Sequence, residues 1–441
     1  MALSAATVWE VRPTVGSDNN GGGFVTGASG TDYSQQTSPQ YALTGIASSG
    51  AGSTVLYASA AANMVGNIAQ VISGTNFTTG FFQITSVSVG VSITFDRSVC
   101  TGVGASGVIN IGGALATIGA AALVAGNTIY VKASGSLTVS ATLTLNITSG
   151  GTSTAGILSF IGYTSTRGDG GQFTWTTTTN SVSLITITGG QNYYFQNINF
   201  TTSAGTVSSA VNVPNADGHI PNCTFRNCVF TGFTSSVSCP NTGNGNGLRP
   251  LIMQYCEIKN CTSDGILSQD GGIYLDCYIH GNSGNGVNLP GGSGNQGITS
   301  VFVRCVFYNN TTAGLSVNSE WMGIIILNCV FHSNTGDGLK FTGVAAAGTN
   351  AYLQNNIFTS NGGYGINYNV TSSYGKSWNE QYNAFYNNTS GAFNGNGLSL
   401  DASDITLTGV PFTNPSGGDF SLNSTAGAGA ACKAAGFNNI P

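Results

Sequence analysis

The chain has 441 residues, a net charge of −5 and only 6% Asp, Glu, Lys and Arg, against about 25% in ordinary soluble proteins. Charge so sparse and unclustered gives no footing for nucleic acid or an anionic membrane, and a 41% hydrophobic content with aromatics throughout excludes a disordered chain. The 65 glycines, with many Asn, Ser and Thr, suit a long β structure that needs many tight turns.

Met1 to Pro13 carries no basic start followed by an apolar core. No signal peptide is therefore expected, and the cysteines are expected to be reduced thiols made in a cytoplasm. No stretch approaches the roughly 18 uninterrupted apolar residues of a membrane-spanning helix. The segment GNIAQVISGTNFTTGFFQITSVSVGVSITFDRSV (66–99) reads as four strands with Gly/Asn turns, a small β module. ALATIGAAALVAG (114–126) then predicts a short Ala-rich helix ending at Gly126, placed to cover an exposed strand edge that would otherwise invite strand addition.

From residue 228 onward one phrase recurs. With Cys228, Cys256, Cys277, Cys305, Cys329, Asn356 and Asn383 at position zero, the spacings are 28, 21, 28, 24, 27 and 27. Position +2 is then Phe230, Ile258, Ile279, Phe307, Phe331, Phe358 and Phe385. In the last five copies position +5 is Asn282, Asn310, Asn334, Asn361 and Asn388. Position +9 is Gly265, Gly286, Gly314, Gly338 and Gly365, each followed by an aliphatic residue. Period-two alternation at zero and +2 marks strands, and each unit is too short to form its own core, so copies must stack. Parallel stacking about 4.8 Å apart puts equivalent residues above one another. The cysteines and the large apolar side chains then form separate interior columns, and the asparagines form ladders at a bend.

This pattern resembles the right-handed parallel β-helix superfamily, the fold of pectate lyases and many phage tailspikes, strongly over 190–395 and fairly from 127. GNTIYVKASGSLTVSATLTL (126–145) resembles the first coil of such proteins, and 405–436 their C-terminal end. The opening WEVRPTVGSDNNGGGFVTGASGTDYSQQ (9–36) is similar to the start of β-helix proteins common in phage and environmental sequences. The resemblance implies an all-β chain with an N-terminal β module over 1–112 that serves attachment, a capping helix over 113–126, a right-handed parallel β-helix over 127–400 and a C-terminal cap over 401–441. Handedness follows from the family and from the usual crossover preference.

Enzymes of this fold use clustered carboxylates, or Ca²⁺-binding aspartates beside a basic residue, on the outer face. The best cluster among the sixteen acids is Glu257, Asp264, Asp270 and Asp276, on two adjacent coils. Glycoside hydrolysis needs two carboxyls about 5–9.5 Å apart. Asp264 instead lies beside Asn285, and Asp276 faces Arg304 at position −1 of the next copy, which reads as a surface ion pair. Position +3 carries His280, Tyr308 and His332, a polar aromatic stripe suited to stacking on sugars or facing a partner, or simply exposed to solvent. Position +1 carries Val306, Val330 and Ile357, an outward apolar stripe suited to a trimer contact or to burial under a loop. GNGNG (243–247) lacks the strand-then-helix context of a nucleotide site, GGSGNQGIT (291–299) has Gln296 where a Ca²⁺ nonapeptide needs Asp, and the three histidines and ten cysteines lack zinc spacing. No metal or cofactor is expected.

The expected function is a structural or adhesive phage virion protein, a trimeric capsid decoration or tailspike. It would pair with itself and join other virion proteins through the N-terminal module, with a surface glycan as a further ligand and no membrane insertion. The alternatives are a polysaccharide-degrading enzyme on the same fold, since fold alone does not set function, and a bacterial surface adhesin.

Overall fold

The computed structural model describes residues 3–146, 156–188, 192–214, 222–239, 251–268, 271–290, 299–317, 323–343, 350–370, 377–395 and 397–436. The chain packs as two units: Met1–Thr138 with Ile147–Thr176 and Gln191–Asn199, and Val139–Asn146 with Thr177–Gly190 and Phe200–Pro441.

In the first unit, six antiparallel strands between Tyr41 and Ile111 form one sheet. Its buried face carries Leu43, Val55, Val71, Phe82, Ile84, Ile93, Phe95 and Ile109. The strand Thr7–Val11 lies within 1–112 but pairs in parallel with Thr128–Lys132, so it is the first strand of the coil rather than part of a separate module. Thr128–Lys132 pairs in turn with Leu158–Tyr163, and that strand with Tyr193–Gln196. Trp9 is fully buried in this stack, and its indole Nε1 donates to Asn127 Oδ1 at 3.0 Å.

The capping helix expected over 113–126 is not formed. The segment holds only a 3-10 turn, Ile118–Ala120, whose N-cap makes no side-chain bond. Leu115 forms a parallel bridge to Val11, donating to Glu10 O at 2.9 Å and receiving Arg12 N at 2.8 Å. Asp18 accepts the amides of Ala116 and Thr117. A thirteen-residue Ala-rich stretch containing Gly119 is marginal as a helix, and the end of Thr7–Val11 beyond its pairing with Gly23–Val25 takes its backbone groups instead. The edge that needed a cover is covered by strand pairing.

The second unit is a solenoid of three parallel sheets. One has ten strands, from Leu143–Leu145 to Gly391–Asn394. Another contributes seven strands to this unit, from Cys223–Arg226 to Ser377–Gln381, and the third eight, from Val229–Thr231 to Ile405–Thr406. The register matches the repeat: Phe230, Ile258, Ile279, Phe307, Phe331, Phe358 and Phe385 are successive partners. Their rings stack, with centroids 4.8 Å apart for Phe307–Phe331 and for Phe331–Phe358. Cys228, Cys256, Cys277, Cys305 and Cys329 are buried in one column.

Two features sharpen each coil. Asn227, Tyr255, Asp276, Arg304, Asn328, Asn355 and Tyr382, all at position −1, have left-handed backbones, as do Asn260, Gly281, Asn309, Ser333, Ser360 and Asn387 at position +4. Each short strand over +1 to +3 is thus bounded by two abrupt corners. At position +9 the next coil's carbonyl approaches closely: a Cβ on Gly286 would lie 2.5 Å from Gly314 O, and one on Gly338 would lie 2.7 Å from Gly365 O. From Gly265 to Gly365 only glycine fits there, and Ser236 and Ala392 take the place in the flanking coils.

Candidate functional site

The outer face of the coils from Glu257 to His332 holds most of the expected site residues. Glu257 Oε2 lies 2.9 Å from Lys259 Nζ, and its Oε1 lies 3.0 Å from His280 Nε2. These partners, His280 first, hold the carboxyl down to about 2 against the desolvation of partial burial. Asp276 receives Arg304 Nε at 2.6 Å and Nη2 at 2.8 Å, the bidentate surface pair expected. Asp264 Oδ1 accepts the Asn285 amide at 2.7 Å and Asn285 Nδ2 at 2.8 Å, and its Oδ2 accepts Asn288 Nδ2 at 2.7 Å. Asp270 lies outside the described residues.

The three described acids do not form a facing pair. Glu257 is on a strand, Asp276 at a left-handed corner, and Asp264 just before the strand Ile266–Ser268. Asp264 also belongs to a recurring pattern: Asp337 binds the Tyr364 amide at 2.7 Å and Asn367 Nδ2 at 2.9 Å, and Asn285 Oδ1 receives Ala313 N at 3.2 Å. A short acceptor at position +8 therefore ties one coil to the next at Asp264, Asn285 and Asp337. That is turn chemistry, not general acid–base geometry.

The aromatic stripe is brought together, then roofed. His280 stacks on Tyr308, with centroids 4.3 Å apart and planes 13° apart. The C-terminal hairpin, Phe412–Asn414 paired with Asp419–Leu422, lies over the stripe. Phe420 packs on Tyr308 at 4.9 Å, and Phe412 and Phe420 each pack on His332 at 5.7 Å. His332 is buried, with Nδ1 2.8 Å from Thr359 Oγ1 and Nε2 3.0 Å from Ser333 Oγ. Burial lowers its pKa to about 4, so it is neutral at pH 7. His332 is therefore not open to a glycan; His280 is half-buried. On the apolar stripe Val306 is only 7% exposed within its own chain, while Val330 and Ile357 are half-buried.

Sequence reasoning missed two charge networks. In the first unit, the fully buried Glu10 accepts Arg12 Nε at 3.0 Å, Arg167 Nε at 3.0 Å and Nη2 at 2.8 Å, and the Tyr163 hydroxyl. Burial and then Glu10 raise the Tyr163 pKa. Arg167 also reaches Asp32 at 3.3 Å and lies 4.6 Å over the Tyr130 ring. In the second unit, Glu380 and Asp404 converge at the last coils. Neither network follows from spacing, because their members lie outside the repeat phrase. Among the described residues no group of three or more His, Cys, Asp and Glu is arranged to hold a metal ion, and no helix is long and apolar enough to cross a membrane.

Residues 276–431 match the family model described as right handed beta helix region. Among solved structures the chain is similar to pectate lyase Pel9A, at 15% identity and TM-score 0.42, over 72% of this chain and 85% of that one. It is similar to the A-module of the mannuronan C-5 epimerase AlgE6 of Azotobacter vinelandii, at 12% identity and TM-score 0.38, over 64% and 91%. It is also similar to ORF18 of Geobacillus virus E2, at 14% identity and TM-score 0.23, over 65% and 53%. No match to a curated protein sequence is found. Three parallel sheets in the register of the repeat, with that family match, define a parallel β-solenoid. Over residues 276–431 that fold carries the right-handed β-helix match.

Proposed function

We propose that this chain is a structural and adhesive β-helix protein of a bacteriophage particle, a trimeric capsid decoration or tailspike. The observation that carries the non-catalytic part is the engagement of Asp264, the central candidate acid, in tying one coil to the next. Glu257 and Asp276 are likewise held in ion pairs with Lys259, His280 and Arg304. Hydrolysis needs an acid with a raised pKa across the sugar from a second carboxyl, and Glu257 is shifted the other way. The particle assignment is supported by the resemblance of the opening 9–36 to β-helix proteins found in phage, and trimer formation by the half-exposed Val330 and Ile357.

The test is a reducing-end and unsaturated-product assay on host envelope and capsule glycans, with immunogold microscopy of particles. No turnover and labelling on the particle are expected. Product formation that disappears in folded Asp264→Asn or Asp270→Asn would replace this reading with a polysaccharide-degrading enzyme.

A further inference from the structure

The position-zero column continues past the cysteines as a hydrogen-bonded chain. Cys329 N donates to Asn356 Oδ1 at 2.9 Å, Asn356 N to Asn383 Oδ1 at 2.9 Å, and Asn383 N to Asp404 Oδ1 at 2.7 Å. At Asn356 the side chain also donates Nδ2 onward to the next Oδ1, at 3.0 Å. At Asn383 that onward bond stretches to 3.4 Å, because Nδ2 turns to Glu380 Oε1 at 2.7 Å and Leu353 O at 3.2 Å. One further donor, the Asp401 amide, is divided between Glu380 Oε2 at 3.2 Å and Asp404 Oδ2 at 3.0 Å. Two carboxyls therefore compete for one set of donors.

No positive charge among the described residues pairs with them: no Lys, Arg or His there forms an ion pair with either group. The titratable groups on the adjoining strands and loop are Asp401, Tyr352, Tyr382 and Tyr386, and Asp401 turns its own carboxylate to Ser403 at 2.9 and 2.7 Å. Glu380 is only 4% exposed. Two full negative charges in that setting repel, whereas one proton between them supplies the missing donor.

We infer that a single proton held between Glu380 and Asp404 latches the C-terminal end of the solenoid, and that its loss at alkaline pH releases the closing strand Ile405–Thr406. The latch adds the side-chain bonds to a strand held by few others, among them Ile405 N to Asn383 O at 2.9 Å and Leu407 N to Phe385 O at 2.8 Å. Burial and the hydrogen bond to Asp404 raise Glu380 well above the ordinary carboxylate range, in keeping with a proton retained at neutral pH.

The test is hydrogen exchange by mass spectrometry from pH 6 to 10 on the full chain, reading a peptide over 401–411 against one over 306–316. Glu380→Gln supplies the donor permanently, and Asp404→Asn installs the residue found in the two preceding copies. At pH 6 to 7 the wild type and both variants should exchange alike at 401–411. As Glu380 loses its proton, wild-type exchange there should outrun both variants by up to about tenfold per pH unit, the linkage of one proton, with no such divergence at 306–316. A wild type that tracks either folded variant through pH 10 overturns the latch. So does early opening of both variants at pH 7, since the geometry of the bonds, and not the proton, would then hold the end.

Discussion

Replacing Asn334 by Ala removes one step of the +5 ladder, and its consequences follow from the bonds it makes. Asn334 Oδ1 accepts Asn310 N at 3.1 Å and Asn310 Nδ2 at 3.0 Å, while its Nδ2 donates to Phe307 O at 3.1 Å and Asn361 Oδ1 at 3.0 Å. Asn310 Nδ2 keeps a second partner in Ile279 O, but the buried Asn310 amide loses its acceptor. Four net contributions of about 0.5–1.5 kcal/mol each, overlapping because they share groups, suggest a loss of about 3–4 kcal/mol. Asn388 closes the same ladder, is half-buried and makes three such bonds, so Asn388→Ala should cost only about 1–2 kcal/mol. Urea unfolding followed by circular dichroism, with hydrogen exchange on the 306–316 peptide to separate local from global opening, measures both. A solenoid need not unfold as one cooperative unit, which makes the local reading necessary. Asn334→Ala within 0.5 kcal/mol of the wild type, or a loss in Asn388→Ala as large, would refute the ladder as a source of stability.

Cys256, Cys277, Cys305 and Cys329 should resist a thiol reagent in the native protein and react fully in urea, since burial raises the first three thiols well above their ordinary pKa; fast native labelling of all four would break the column. Light scattering should give a trimer at micromolar concentration and Val330→Asp should dissociate it, whereas Val306→Asp, at a site closed within its own chain, should lower stability in any oligomeric state. His332 takes up its proton only near pH 4 when folded but near 6.5 when unfolded, so the unfolded chain binds more protons in between and stability falls as pH drops from about 6.5 to 4. Thermal melts of His332→Gln should show a weaker loss over that window, and an unchanged slope would remove His332 as its source.

The columns at +2, +9 and +10 were legible because stacking repeats one environment at each level, so the same residue type recurs wherever that environment is severe. Glycine at +9 is the clearest case: from Gly265 to Gly365 a carbonyl would lie 2.5–2.7 Å from any Cβ. The left-handed corners were not legible, since position −1 accepts Asn, Tyr, Asp and Arg alike and hides a shared backbone behind varied side chains. The segment 113–126 misled for the opposite reason. Its alanines suit a helix locally, but the end of Thr7–Val11 beyond its pairing with Gly23–Val25 offered Leu115 two backbone bonds that a marginal helix could not match.

The candidate acids were misleading in a way the fold itself explains. A parallel stack leaves amide groups at each corner where the chain leaves one sheet for the next, and a short side-chain acceptor at the corner satisfies the amide one coil away. Asn285 does this for Ala313, and Asp264 and Asp337 do it for Asn285 and Tyr364. Asp and Asn are interchangeable there as acceptors, so an aspartate in the repeat signals a corner before it signals chemistry. Asp404 extends the rule to position zero: it takes the acceptor place that Asn356 and Asn383 hold on the preceding coils, but it has no hydrogen to pass on. An acid in an asparagine column is tolerated only where the column ends or where a proton replaces the missing amide hydrogen. At the C-terminal end of this solenoid both conditions meet, with Glu380 beside Asp404.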